Sequence, residues 1–248
     1  MRIPFLILLL SITTTAAVCA DFQSFVVTVD TGNKNSLQFM QRPRLAQLVQ
    51  QLDPVDELYW PAARFYRDDA LRHYGFERQR QNLLSQFAEL RQLAGKTAVP
   101  EPFVELIRTA RLASPVALTL DPDAVSGKDA LNKQLDSGNY LLRVGKRPTE
   151  LEIVGFAGLA RVAHSYTSTV RDYTSGLVFS ELSDQSVVYL LSPSLKVVAA
   201  GRAVWNASTE QLRPGTLLYI PVDESALPSS FQGINQQVIE FLKHRVTE

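Results

Sequence analysis

Cysteine is almost absent from the chain, which limits both its chemistry and its means of stabilisation. Cys19 is the only cysteine among 248 residues. It lies in a segment with the order of a cleavable signal peptide, in which a basic start at Arg2 precedes a short apolar stretch and small residues. We expect cleavage before Asp21, leaving a mature chain without disulfides or a cysteine nucleophile. A lipid-anchored Cys19 is the weaker alternative, because Val18 is bulkier than the small residue that lipoprotein signals carry there.

Long apolar runs and an excess of charge are missing as well. The apolar part of the leader falls far short of the ~20 residues that span a membrane. Removing the leader leaves 228 residues with 24 basic and 25 acidic side chains. This near neutrality argues against a nucleic acid or an anionic membrane as the main partner. A secreted chain stabilised by packing alone fits the bacterial periplasm better than a small disulfide-linked extracellular domain.

Known catalytic and metal-binding patterns are also lacking. His73, His164 and His244 have neither a histidine four residues away nor a nearby cysteine, so no metal site is predicted. The chain has no Gly-x-Ser-x-Gly motif, and residues 155–158 lack the glycine spacing of a dinucleotide-binding loop. The sequence therefore predicts neither a metal ion nor a cofactor.

The hydrophobic pattern at the start of the mature chain predicts an α+β fold. Apolar residues alternate over 25–29 and 37–39, with Gly32 and Asn33 between them, which indicates a β-hairpin. Pro43 then opens a helix in which apolar residues recur at helical spacing. Strand, strand and helix in this order are the opening of a β-grasp domain.

The next segment changes to helical spacing. Apolar residues follow a helical period from about residue 60 to 110, and Pro100 starts a second helix within this range. Alternation returns over 116–120 and 140–144. The pattern predicts a helical hairpin inserted between strands.

The second half repeats the strand pattern and ends in an amphipathic segment. Strands are predicted near 151–153, 187–191, 197–199 and 217–220, with a short helix at 166–173. The tail from Pro228 carries one apolar stripe, formed by Ile234, Val238, Phe241 and Leu242. We expect this stripe to pack on the protein; a helix on a membrane surface is the alternative.

Five residues in the first half are candidates for a site. Arg111 follows the helical segment and precedes a strand, so it is expected where the helical insert, the first domain and the second domain meet. Its guanidinium would be either a donor in a pocket or an interdomain clamp. Asp121 and Asp123 are either an acid and base pair or turn-forming residues. Tyr59 and Trp60 begin an aromatic segment suited to stacking on sugar rings or to a hydrophobic seam.

A series of short segments resembles, in order along the chain, the GfcC family of capsule biosynthesis. The matching segments are 56–62 (DELYWPA), Arg111-Leu112, 120–123 (LDPD), 138–140 (GNY), Arg147-Pro148, Trp205-Asn206, 213–216 (RPGT) and 235–238 (NQQV). The resemblance implies two tandem β-grasp domains at 21–145 and 146–226. It also implies a helical hairpin inserted at about 60–110 and a C-terminal amphipathic helix at 227–248.

The same resemblance implies a function. The family is expected to act as non-enzymatic periplasmic accessory proteins in the assembly or export of capsular polysaccharide or exopolysaccharide. The partner would be the polysaccharide or its export machinery, and Arg111 corresponds to the family's central arginine. Trp205 and Asn206 join the five candidates above as expected binding residues. Two alternatives remain open: a carbohydrate-active enzyme that uses Asp121 or Asp123, and an envelope adaptor that binds no sugar.

Overall fold

The computed structural model describes residues 25–32, 34–52, 57–68 and 70–247. The expected signal peptide and its cleavage site before Asp21 lie outside these ranges. Asn33 of the predicted turn and Asp56 of the first matching segment also lie outside them.

The first half of the chain forms a five-stranded mixed sheet. Its strands are β1 (Phe25–Asp30), β2 (Lys34–Phe39), β3 (Arg64–Arg67), β4 (Ser114–Pro115) and β5 (Asn139–Arg143). They lie in the order β2-β1-β5-β3-β4, with β1 antiparallel to β2 and parallel to β5. The predicted hairpin and the strand near 140–144 are confirmed, whereas the strand predicted over 116–120 was wrong, because those residues form no strand and β4 covers only 114–115.

One face of this sheet covers the first hydrophobic core. Two short helices, α1 (Leu45–Gln50) and α4 (Pro122–Gly127), pack on that face. The core residues alternate along the strands, as the pleat requires, and are at most 2% exposed: Phe25, Val27, Val29, Phe65 and Leu142 with Leu45 and Leu48 of α1. The opposite face is therefore available to the second half of the molecule.

The helical hairpin is present but begins later than predicted. It consists of α2 (Ala70–Ala94) and α3 (Glu101–Thr109), between β3 and β4. The prediction of helix from about residue 60 was wrong for residues 64–67, which form β3. The physical reason is their alternation, because Phe65 enters the core beneath the sheet while Tyr66 is buried on the other face.

The second half forms another five-stranded mixed sheet. Its strands are β6 (Glu150–Gly155), β7 (Gly158–Ala163), β8 (Val187–Leu191), β9 (Val197–Gly201) and β10 (Leu217–Ile220), in the order β7-β6-β10-β8-β9. One face packs on the short helix α5 (Val170–Thr174), which starts later than the helix predicted at 166–173. The chain thus builds the same strand order twice.

The C-terminal helix α6 (Ile234–His244) lies between the helical hairpin and the second sheet. The predicted stripe is buried, since Ile234, Val238 and Phe241 are 0% exposed and Leu242 is 3% exposed. The helix is shorter than the range 227–248 because Gly233 adopts a left-handed φ of 83° at its N-cap. Within the described residues, no helix is both long and apolar enough to cross a membrane.

The chain end connects the two halves. Val246 donates from its backbone N–H to the carbonyl of Arg111 at 2.9 Å, and Ala113 donates to the carbonyl of His244 at 2.9 Å. The Tyr66 hydroxyl donates to the carbonyl of Arg245 at 3.1 Å. The segment after α6 therefore joins the end of the hairpin to the open face of the first sheet.

Candidate functional site

A cleft of about 540 Å³ lies between the two sheets. The first sheet contributes Asp30, Arg64 and Arg143 to its wall, and the second sheet contributes Glu152 and Arg161. Lys146 and Glu150 line the connection between the sheets. The cleft is therefore lined by four cationic and three acidic side chains.

The charged residues of the first sheet form a row across three neighbouring strands. The register places Asp30 of β1 beside Arg143 of β5, and Arg143 beside Arg64 of β3. Asp30 is 7% exposed and accepts a hydrogen bond from Arg143 Nη1 at 2.7 Å. Like charges directly opposite each other on neighbouring strands are destabilising. Asp30 neutralises Arg143, so Arg64 is left beside it as the unpaired charge of the row.

Arg64 is buried without a partner for its charge. The residue is 9% exposed, and within the described residues its guanidinium makes no hydrogen bond or ion pair. Arg64 also borders a second cavity of about 520 Å³ and a small void near Lys243. The side chain thus lies where the cleft and the neighbouring cavities approach one another.

In the wall that the second sheet forms, one of the charged side chains is neutralised by an ion pair. Glu152 of β6 accepts a hydrogen bond from Arg245 Nη2 at 2.7 Å. Arg161 of β7 and Lys146 are exposed and have no ion-pair partner among the described residues, and the same is true of Glu150. Once the ion pairs are formed, the unpaired charges are three cations and one carboxylate, so the cleft attracts anions.

The second cavity contains two of the residues predicted from the sequence. Trp60, which is half-buried, and Asp121 line it together with Arg64 and the β8–β9 turn at 193–195. Leu195 in this turn has a φ of 67°, a left-handed conformation that is uncommon for a leucine. The remaining predicted residues are absent from the linings of both cavities.

A third groove, of about 1240 Å³, lies between the helical hairpin and the β6–β7 turn. Its walls include the apolar side chains of Phe87, Val104, Leu159 and Val178. None of the residues predicted from the sequence lines it.

Asp121 and Asp123 lie at the N-terminus of α4. Asp121 is the N-cap of α4, and its Oδ1 accepts hydrogen bonds from the backbone N–H groups of Asp123 at 3.0 Å and Ala124 at 3.2 Å. Asp123 is exposed in the first turn of the helix. The Asp121 side chain is thus a helix cap, whereas Asp123 supplies only a backbone N–H to it.

Asp172 takes part in the capping box at the start of α5. Hydrogen bonds from the backbone and the hydroxyl of Thr169 lower the pKa of its carboxyl below the usual value.

Arg111, for which the sequence left a pocket donor and an interdomain clamp as alternatives, lines none of the cavities described above. Its side chain is 52% exposed, and Nη2 donates to Asp68 Oδ2 at 2.9 Å. His73 binds the other oxygen of Asp68 at 3.0 Å. Leu112 pairs with the chain end and turns inward at 8% exposure, so alternation directs the preceding side chain outward. The chain end therefore meets Arg111 at its backbone carbonyl, and the side chain of this residue points to solvent.

The other predicted residues are dispersed. Tyr59 stacks under Arg147, whose guanidinium carbon lies 5.2 Å from the ring centre. Trp205 is 80% exposed in a 3₁₀ turn after β9. The structure does not bring these residues together with Arg111.

Asn206 has a structural role beside Gly201. Its Oδ1 accepts from the backbone of Ala203 at 3.0 Å, and its Nδ2 donates to the carbonyl of Ser186 at 3.0 Å. Gly201 is required here, because an added Cβ would meet the carbonyl oxygen of Asn206. Asn206 therefore holds the turn after β9 in place.

Sequence reasoning missed the charged residues of the cleft. Arg64 lies in the segment from about residue 60 to 110 for which the sequence predicts helix, although the alternation of residues 64–67 is a strand signal. Nothing local in the sequence indicates that its charge lacks a partner.

Comparison with known proteins places these features in a family. The model described as capsule biosynthesis GfcC, N-terminal, matches residues 23–147, and the model described as capsule biosynthesis GfcC C-terminal matches residues 160–247. The chain is also similar to the uncharacterized protein YjbG of Escherichia coli (strain K12). The two are 25% identical over 223 residues, which cover 88% of this chain and 85% of that protein.

Proposed function

The chain belongs to the GfcC family of capsule biosynthesis, and we propose that it is a non-enzymatic periplasmic accessory protein in the assembly or export of capsular polysaccharide or exopolysaccharide. The observation that carries the proposal is the match of both family models, in order, over 23–147 and 160–247. The polysaccharide or its export machinery in the envelope is the proposed partner.

The strand order supports two tandem β-grasp domains, near 21–145 and 146–226. In each sheet the second strand in sequence pairs with the first, the first is parallel to the fifth, and the third and fourth follow on the other side. Each sheet also has a helix after its second strand, α1 in the first and α5 in the second. The proposed domains are therefore repeats of one architecture with the helical hairpin added to the first.

The arrangement of carboxylates supports binding over catalysis. Glycoside hydrolysis normally uses two carboxyl groups facing the scissile bond. Asp121 is occupied in capping α4. Of the three carboxylates of the cleft, Asp30 and Glu152 are each bound to an arginine, which leaves Glu150 without a second free carboxylate beside it in the lining. Purified protein incubated with the polysaccharide of the producing strain should generate no new reducing ends. Cleavage that disappears in an Asp121→Asn, Asp123→Asn double variant would favour the enzyme instead.

The leader sequence supports a periplasmic location. We expect the mature protein to begin at Asp21 and to fractionate with the periplasmic contents. Mass analysis of the purified N-terminus measures this directly, and a diacylated Cys19 would contradict it.

The functional test is removal of the gene. A deletion strain should lose surface polysaccharide, and a plasmid copy of the gene should restore it. Because the protein is proposed to be an accessory and not a synthase, lipid-linked precursors should still form in the deletion strain. An unchanged amount of surface polysaccharide would contradict the proposal.

A further inference from the structure

The state of Arg64 calls for a ligand. A guanidinium that has no protein partner and faces a cleft can exchange its bound water for the oxygens of an anion. Arg64 is 9% exposed; within the described residues its guanidinium bonds no protein group, and its nitrogens keep their contact with solvent at the cleft. The nearest carboxylate in its row, Asp30, is bound to Arg143.

The surroundings of Arg64 suit an anion that enters from solvent. Lys146 and Arg161 line the same cleft and have no ion-pair partner among the described residues. The volume of about 540 Å³ lies within the roughly 300–1,000 Å³ typical of small-molecule sites. The planar guanidinium fork of Arg64 matches the two oxygens of a carboxylate.

The uncharged lining suits a ligand that also carries hydroxyl groups. Thr31, Thr149 and Thr247 line the cleft, and a threonine hydroxyl both donates and accepts, as a sugar hydroxyl does. Trp60 lies in the adjoining cavity that Arg64 also borders. A small inorganic anion would use the cations alone, whereas an acidic sugar would use the cations and the hydroxyls together.

We infer that the cleft between the two sheets binds a carboxylate-bearing sugar of an acidic polysaccharide, and that Arg64 is the residue that binds the carboxylate. The inference rests on the proposed function, because the polysaccharide handled by this family is the source of the ligand. Lys146 and Arg161 add attraction at the rim, and the threonines hold the sugar hydroxyls.

The binding test uses purified protein and defined oligosaccharides. Isothermal titration calorimetry would compare tetramers of galacturonate and of mannuronate with maltotetraose, a neutral tetramer, and with inorganic phosphate. The acidic tetramers should bind, with an affinity that falls as salt is added, and maltotetraose and phosphate should bind at least tenfold more weakly. The absence of binding by both acidic tetramers, or equally tight binding of phosphate, would overturn the inference.

Variants distinguish a specific role of Arg64 in binding from the general effect of removing one positive charge. Loss of a hydrogen bond to a charged group predicts that Arg64→Gln binds the acidic tetramers about ten- to a hundredfold more weakly. Arg64→Lys should recover only part of the affinity, because an ammonium lacks the two-pronged geometry. Arg78→Gln is the matched control, since Arg78 is exposed on α2 and its side chain makes no hydrogen bond or ion pair among the described residues. Equal affinities of Arg64→Gln and Arg78→Gln would overturn the assignment.

Thermal unfolding distinguishes a binding role from a structural one. Without sugar, Arg64→Gln should unfold at about the same temperature as the wild type, because within the described residues the guanidinium makes no hydrogen bond or ion pair with the protein. With an acidic tetramer present, the wild type should gain stability and Arg64→Gln should not. A large loss of stability in sugar-free Arg64→Gln would show that the guanidinium supports the fold, and would contradict the inference.

The inference and the proposed function fail separately. Cells without the gene that keep their surface polysaccharide contradict the proposed function, whatever the purified protein binds. Cells that lose the polysaccharide, together with a purified protein that ignores acidic sugars, contradict the binding inference alone.

Discussion

Replacing Val238 with aspartate should strongly destabilise the protein. Val238 lies in the middle of α6 and is 0% exposed. It belongs to the hydrophobic core formed by the helical hairpin, the second sheet and α6. A carboxylate placed here would meet an apolar environment on both sides.

The expected loss follows from that burial. An uncompensated buried charge typically costs about 3–5 kcal/mol. For a domain of this size each kcal/mol lowers the midpoint of thermal unfolding by about 2–4 °C, so a fall of about 10 °C is expected. Burial also favours the protonated form of the new aspartate, so the loss should shrink as the pH is lowered.

The assay compares this variant with a matched one on the same helix. Thermal unfolding followed by circular dichroism would measure Val238→Asp and Gln236→Asp, which adds the same charge at an exposed position. Co-sedimentation with phospholipid vesicles would test the membrane-surface alternative. Equal midpoints for the two variants, or vesicle binding by the wild type that Val238→Asp abolishes, would refute the packing of the stripe on the protein.

The remaining predictions concern a helix cap, a surface ion pair and a buried histidine. Asp121→Ala should lower the free energy of unfolding by about 1 kcal/mol because it removes the cap of α4, whereas Asp123→Ala should lower it less. Urea titration measures both variants, and equal losses would contradict the capping role of Asp121. Arg111→Ala should cost less than about 1 kcal/mol because its ion pair with Asp68 is at the surface, and a loss of several kcal/mol in the same assay would point to a clamp. Burial lowers the pKa of His244 from its usual value. The carbonyl of residue 113 and the carboxylate of residue 240 raise this pKa, but their effect is smaller than that of burial. The histidine therefore takes up its proton at a higher pH in the unfolded chain than in the folded protein. The free energy of unfolding should fall as the pH decreases from about 6.5 towards the lowered pKa. An His244→Asn variant whose stability depends on pH just as steeply would contradict this.

Local periodicity accounts for the parts of the fold that were predictable. The alternation at 25–29 and at 187–191 identified strands β1 and β8, and the apolar stripe identified α6, because each pattern is set by neighbours along the chain. β7 was missed because it is an edge strand and mainly exposed or half-buried, so it lacks a continuous apolar face.

The site was less predictable because long-range pairing determines it. The outward direction of Arg111 depends on the contact between Leu112 and Arg245, which are far apart in the sequence. The unpaired state of Arg64 depends on its position beside Arg143, which Asp30 neutralises from the next strand. The spacing of residues in the sequence therefore predicts neither of these contacts.

The most direct test of the account measures surface polysaccharide in a deletion strain that carries plasmid copies of the gene. At equal protein abundance, the wild-type gene and Arg78→Gln should restore the polysaccharide, whereas Arg64→Gln should restore little of it. Full restoration by Arg64→Gln, or normal polysaccharide in the deletion strain itself, would contradict the claim that this protein handles the polysaccharide through the cleft between its two sheets.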